Sequence, residues 1–178
     1  MLTKDELIRL LERDCIEDFN NELAKYDTDA VDLSEVDFSN MTLSGVCFAN
    51  ANLNSAGFAD ANLSEVDFTN CDLTSADFTR SNCVECNFSE ALLNGTDFSY
   101  ARIDYCNFTE TDLAGAILNE ADLSNSDLTC SYNLSACRFD EATVWPDNDL
   151  LPEGFDAVYA DDLSSLKDDD DYSGNSDY

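Results

Sequence analysis

Eight cysteines, 39 carboxylates and no histidine make up the reactive inventory of this 178-residue chain. Cys83-x-x-Cys86 has the spacing of half a zinc site, and thiolates are good zinc ligands. Without His, imidazole acid–base work, Ser-His-Asp triads and Cys-His pairs are ruled out. Six Gly in all leave no glycine-rich phosphate loop. Carboxylates become acids or bases near neutrality only where a concave pocket shifts them. What any of these groups can do therefore depends on where the fold puts them.

The positioning element is a five-residue period that runs from 31 to 130 without a slip. A large apolar side chain falls on nearly every third position of the repeat: Leu33, Phe38, Leu43, Phe48, Leu53, Phe58 and so on to Leu128, with Cys83 in the same row. Two residues earlier sits a small or β-branched side chain such as Val31, Ala51, Cys71, Ala76, Cys86 or Cys106. Five is neither the 3.6 of a helix nor the 2 of a strand. It suits a chain that turns one corner per repeat and points every centre inward. Read every twenty residues, the centres sort into homogeneous columns: Leu33, Leu53, Leu73, Leu93, Leu113; Phe38, Phe58, Phe78, Phe98, Leu118; Leu43, Leu63, Cys83, Ile103, Leu123; Phe48, Phe68, Phe88, Phe108, Leu128. Such columns follow if four repeats close one coil, with two stacks of rings and two of aliphatics filling a narrow tube.

That placement reinterprets the reactive groups. Cys83 is a centre, and Cys71, Cys86 and Cys106 hold the small inward position, where a free Cys acts as a buried hydrophobe. Cys86 and Cys106 stack in adjacent coils, at a Cα separation that does not forbid a disulfide. The Asp and Glu flank the centres and point outward into water. The pattern implies no catalytic residue, no metal site and no cofactor.

VDLSE, ANLNS, ANLSE, CDLTS and ADLSN, with the Phe-centred VDFSN, ADFTR and TDFSY, resemble the pentapeptide repeat family, whose motif is A-(D/N)-L-x-x. The resemblance implies an all-β solenoid, a right-handed quadrilateral β-helix with coils about 4.8 Å apart. It also implies a protein-binding rather than enzymatic role. Some members of the family are DNA mimics that bind type II topoisomerases and protect gyrase from quinolones.

Past Cys130 the register moves by one, with Leu134, Phe139 and Val144 expected as centres. The expected organisation is a helical N-terminal cap over 1–29, the β-helix over 30–145, a C-terminal cap over 146–163 and a disordered acidic tail over 164–178. Thr3 with Glu6 forms a capping box, and Leu7, Leu11, Cys15, Phe19 and Leu23 make one helical stripe. Asp14 with Glu17 can open a second short helix. Trp145, Pro146, Leu150, Leu151, Pro152, Phe155 and Val158 resemble a C-terminal plug. No apolar run is long enough to span a membrane, and eight Cys without a secretory signal point to the cytoplasm.

Charge bears on partners. Residues 31–130 hold 2 basic against 17 acidic side chains, a net of −15 within a chain of −31. Over a repeat region about 24 Å long this is about one charge per 1.6 Å, against about 1.7 Å in duplex DNA. Such a rod repels nucleic acid and attracts proteins built to hold it. The carboxylates are expected on all four faces, with Asp37, Asp60, Asp77 and Asp97 on one of them as the candidate DNA-mimic face. The competing reading is an interaction scaffold with an unidentified protein partner. Its candidate contact is a corner patch of Arg80, Tyr100, Arg102, Tyr105 and Ile117, rich in the aromatic and Arg side chains typical of protein contacts. An internal Arg80–Tyr100 cation–π contact accounts for part of the same residues without any partner.

Overall fold

The computed structural model describes residues 2–25 and 31–157. The expected tail over 164–178 and Val158 of the plug lie outside the described residues.

The coil of twenty residues is present. Asp32 pairs with Asn52, Asp37 with Gly57, and Cys47 with Asp67, each in parallel register. On the third side the pairing lengthens into four short parallel strands: β1 Thr42–Ser44, β2 Asn62–Ser64, β3 Asn82–Val84 and β4 Arg102–Asp104. They lie in the order β1-β2-β3-β4, with Leu43, Leu63, Cys83 and Ile103 in one column. The repeating bonds are simple. The second residue of a repeat donates to the first residue one coil back, as Asn52 N to Val31 O at 2.9 Å. The centre donates to the second residue one coil on, as Leu33 N to Asn52 O at 2.8 Å. Four sides of one coil, numbered from Val31, thus carry five residues each.

Every centre from Leu33 to Leu128 is buried. Phe38, Phe58, Phe78 and Phe98 stack with centroids 5.0, 4.6 and 4.8 Å apart, and Phe48, Phe68, Phe88 and Phe108 at 5.5, 4.9 and 5.0 Å. The two columns also meet each other edge-on, as Phe58 does Phe68 at 5.5 Å. Rings thus prefer face contacts along the tube and edge contacts across it, the two arrangements their quadrupoles favour.

The corners explain the last position of the repeat. Glu35, Asn40, Asp60, Arg80, Tyr100 and Glu110 all take φ between 56° and 62°, as do most residues of this row. A left-handed residue costs about 1–2 kcal/mol unless it is Gly, so each corner is held by the stack above and below it. Gly115, at φ 70°, avoids that cost.

The inner small row holds a pattern the sequence did not suggest. Its hydroxyls and thiols donate to the carbonyl of a centre one coil back: Thr96 Oγ1 to Leu73 O at 2.8 Å, Thr111 Oγ1 to Phe88 O at 2.7 Å, Ser126 Oγ to Ile103 O at 2.9 Å and Cys71 Sγ to Phe48 O at 3.0 Å. Ser81 and Ser131 differ, the first lying 3.5 Å from Cys83 Sγ and the second donating to Leu128 O, three residues earlier, at 2.8 Å.

At the N-terminal end, α1 (Lys4–Glu12) carries the expected capping box, with Glu6 N donating to Thr3 Oγ1 at 3.3 Å and Thr3 N to Glu6 Oε2 at 2.8 Å. The stripe does not run on as one helix. Asp14 turns left-handed at φ 58°, and α2 (Ile16–Leu23) starts after Cys15, so Asp14 breaks a helix rather than capping one. α2 seats on the first coil through Phe19, edge-on to Phe48 at 5.5 Å. Asn20 adds a donation from Nδ2 to Gly45 O at 2.9 Å and accepts from Cys47 N at 2.8 Å.

At the other end the expected register needs correction. Asp112 pairs with Tyr132, Ile117 with Arg138 and Asp122 with Val144, so the separation grows from 20 to 21 to 22 residues. One extra residue enters at Asn133, left-handed at φ 59°, before the 3-10 turn Leu134–Ala136. A second enters in the 140–143 turn, where Asp140 Oδ1 accepts from Ala142 N at 3.1 Å. Leu134 is buried as expected, but Val144 is 47% exposed, and Trp145 packs inward in its place. Trp145 lies 5.1 Å from both Phe139 and Phe155, and Leu128 N still finds a partner in Leu150 O at 2.8 Å.

Candidate functional site

The outward second position is where most of the Asp of residues 31–130 sit, and its geometry is uniform. Oδ1 of Asp32, Asp37, Asp67, Asp72, Asp77, Asp97, Asp112, Asp122 and Asp127 accepts from the amide two residues on, at 2.8–3.1 Å. Asn52, Asn87 and Asn107 make the same bond at 2.9–3.2 Å. This is an Asx turn, which either side chain closes. The Ser39 hydroxyl and amide hold Asp37 below the usual carboxylate range, and those of Ser34 do the same for Asp32.

Asp37, Asp77 and Asp97 share one column on the second side, with Asp77 and Asp97 directly paired. Asp60 lies at that side's corner, and Arg80 grips it from one coil on, Nε to Oδ1 at 2.8 Å and Nη2 to Oδ2 at 2.9 Å. The bidentate pair depresses the Asp60 carboxyl. Of the four expected acidic-face residues, Asp60 is therefore neutralised within the chain.

Carboxylates reach all four faces, but the second row of the third side carries one only from the fifth coil, at Asp122. In coils one to four the third side carries Thr42, Asn62, Asn82 and Arg102 in its second row. Asn82 Nδ2 donates to Asn62 Oδ1 at 2.8 Å, and Arg102 Nη1 to Asn82 Oδ1 at 3.3 Å. Asp104, in the fourth row, is buried, ion-paired with Arg102 and bound by Asn125 Nδ2 at 2.8 Å. Glu65 and Glu85 belong to the corner row beside this side, not to its flat.

The five patch residues divide accordingly. Arg80 is committed to Asp60, where stacking alone suggested the Tyr100 ring. Arg102 lies along the Asn ladder. Tyr100 and Tyr105 are 56% and 64% exposed at the two corners that border the third side in coil four. A hydrogen bond to Glu120, with that carboxylate's charge, raises the Tyr100 phenol. Ile117 is half-buried on the second side, paired with Asp97 and Arg138. Leu92 and Tyr132 are also exposed, in one column of the first side on either hand of Asp112. Their signal was readable, since each stands where Asp or Asn is usual.

Cys71, Cys83, Cys86 and Cys106 go inward, Cys15, Cys47 and Cys137 are partly buried, and Cys130 is exposed. Burial pushes Cys71 and Cys137 up to about 12. Hydrogen bonds to Cys86, and then burial, raise Cys83 and Cys106. Among the described residues no group of three His, Cys, Asp or Glu is arranged to hold a metal ion. No helix among them is long and apolar enough to cross a membrane. A cleft of about 460 Å³ lies at the C-terminal end beside Trp145, Leu151, Pro152 and Phe155.

A family model described as "Pentapeptide repeat region" matches residues 29–98, and one for "Pentapeptide repeats (8 copies)" matches 106–145. The chain belongs to the pentapeptide repeat family. Solved pentapeptide repeat proteins are similar to it. One from the Arabidopsis thaliana thylakoid lumen is 27% identical over 55% of this chain and 68% of that one, with a TM-score of 0.42. One from Nostoc Pcc 7120 is 31% identical over 64% of this chain and 80% of that one, with a TM-score of 0.39. QnrB1, a plasmid-mediated fluoroquinolone resistance protein, is 16% identical over 75% of this chain and 82% of that one, with a TM-score of 0.38. No curated protein matches this pentapeptide repeat chain.

Proposed function

We propose that this pentapeptide repeat protein is a non-catalytic, acidic interaction scaffold, acting in the cytoplasm, whose first, second and fourth sides receive a basic protein surface. The supporting observation is that its charge is surplus to its fold. Asn52, Asn87 and Asn107 close the same turns as the nine Asp, so Asp is not needed there to shape the coil. A side that keeps Asp where Asn would serve is tuned for its potential, which steers and holds cationic partners. The right-handed winding and the capping roles of 1–29 and 146–163 belong to the same reading.

A narrower version makes the partner a DNA-holding enzyme of the type II topoisomerase class, such as gyrase. It is favoured by the charge density, near that of duplex DNA, and by the family resemblance. A supercoiling assay at low and high salt tests both versions. Under DNA mimicry the protein inhibits at micromolar concentration in low salt, inhibition fades steeply as salt rises, and Asp37→Asn with Asp77→Asn and Asp97→Asn weakens it. No inhibition in low salt removes the topoisomerase version. Failure of immobilised lysozyme-like basic proteins to bind more tightly to wild type than to that triple variant removes the basic-partner scaffold itself.

A further inference from the structure

We propose that the third side, whose flat bears no exposed carboxylate in coils one to four, is a self-docking face, through which two copies of this chain pair side by side with their rods parallel. The proposal goes beyond the scaffold reading and does not depend on it.

Charge selects the face. Two copies, each of net charge −31, repel wherever columns of carboxylate oppose each other. The first, second and fourth sides all carry Asp in the second row, with Asp32 and Asp72, Asp77 and Asp97, and Asp67 as examples. Only the third side presents four successive coils whose second row is Thr, Asn, Asn and Arg. It is also where the pairing widens into true strands.

Spacing selects the occupant. A sheet with a rung about every 4.8 Å is matched by another sheet of the same pitch, whose side chains then interdigitate with it rung by rung. A second copy of this chain has that pitch by construction.

Symmetry then fixes the orientation. With a two-fold axis parallel to the rod, rows on opposite margins of the face meet at equal height. The corner row holding Arg80 and Tyr100 comes against the row holding Glu85 and Tyr105. Arg80, carrying its Asp60 partner, meets the partner's Glu85, Tyr100 meets the partner's Tyr105, the Arg102–Asp104 pair comes over its counterpart, and Asp60 meets the partner's Glu65, the one like-charge match. An antiparallel pair sets like corners together, Arg80 row on Arg80 row, and loses these matches. The strip is roughly 19 Å long, four rungs at the inter-strand spacing. With its second, fourth and two corner rows over four coils it engages about sixteen residues a side, fewer than the roughly 20–30 of a standard interface. The pairing is therefore weak and favoured by salt, which screens the rod-to-rod repulsion and the Asp60–Glu65 contact more than it weakens the uncharged matches.

Sedimentation equilibrium of the full chain at about 50 and 500 mM NaCl tests this. A reversible dimer is expected, at least about tenfold tighter at the higher salt. Asn82→Asp, which puts a carboxylate on the flat, weakens it about tenfold or more, while Asp72→Asn on the first side does not weaken it. Arg80→Glu weakens it, and Arg80→Glu with Glu85→Arg restores it, which only the parallel pairing explains. A monomer at every salt concentration overturns the proposal. So does a dimer indifferent to Asn82→Asp, which assigns association to another surface, or a double reversal that fails to restore a dimer while both single variants remain folded by circular dichroism.

Discussion

The third side and its three neighbours are built from the same repeat on the same core, yet one extends as strand and the others turn. Asp at the second position does not by itself account for this. Asn62 and Asn82 sit in strands, while Asn87 and Asn107 close Asx turns on the fourth side. Leu92 has no side-chain acceptor, yet it follows the turn of the Asp72 below it and the Asp112 above it. When Asp122 arrives on the third side after four strands, its Oδ1 takes Ser124 N at 3.1 Å and strand gives way to turn. Conformation is thus set by the column. Each coil is hydrogen-bonded to the next, so a minority residue adopts the geometry of its stack. Repeat proteins whose units contact only neighbours behave in this nearest-neighbour manner.

The contrast is broken most severely from inside, since both kinds of side hang on one core. Phe78→Ala removes a ring stacked at 4.6 and 4.8 Å on its two neighbours and is expected to cost about 3–5 kcal/mol. Its urea midpoint will fall furthest of all the variants named. Next comes the turn itself. Asp127 accepts from both the amide and the hydroxyl of Thr129, at 2.9 and 2.7 Å, so Asp127→Ala should cost about 1 kcal/mol. Asp127→Asn should keep nearly all of that stability, and equal losses in the two variants would show that charge, not the turn, is what Asp127 supplies. Gly115→Ala, at φ 70°, should likewise cost about 1 kcal/mol. Asp77→Asn is the smallest change, within about 0.5 kcal/mol, and relief of its repulsion with Asp97 sets the sign as stabilising.

Acid sharpens the comparison in another way. Asp32, Asp37 and Asp112 have carboxyls held below their ordinary values by the hydrogen bonds they accept. Their contribution is full above the ordinary carboxylate range and is lost as pH falls through the lowered values. The strands β1, β2 and β3 of the third side carry no carboxylate. Amide exchange followed from pH 5 downward should therefore loosen the Asx turns before the strand rungs. Thiol labelling gives a check on burial: Cys130 is exposed and should react with iodoacetamide in the native protein, while Cys71, pushed up to about 12 by burial, should wait for unfolding.

Much of this was legible because inward residues obey one constraint repeated twenty times. The period names the centres, the twenty-residue columns name the stack, and Cys83 and Cys86 are assigned inward without any coordinate. What stayed hidden depends on competition between partners that periodicity does not rank. Arg80 had Tyr100 on one side and Asp60 on the other, and the bidentate carboxylate prevailed over a ring. The strand face could not be read off, because Asn serves turn and strand alike. The second extra residue after Phe139 was hidden since Val144 and Trp145 are both apolar, and only pairing with Asp122 shows which one faces out. Asp14 looked like a cap because it precedes a helix, but the backbone there is already left-handed.

The separation of twenty residues between stacked partners, kept as far as Asp112 and Tyr132, has a consequence for how the chain reaches this state. Parallel sheets are usually slow to form, because their strands are brought together across long crossovers. Here each rung joins residues twenty apart in a chain of 178, a relative contact order of about 0.11, in the range of helical bundles rather than of sheets. A coil can close as soon as its predecessor offers an edge, so growth proceeds by successive addition. On a ribosome the first coil, with Phe19 lying against Phe48, can serve as the template while Phe98 and Phe108 are still being synthesised.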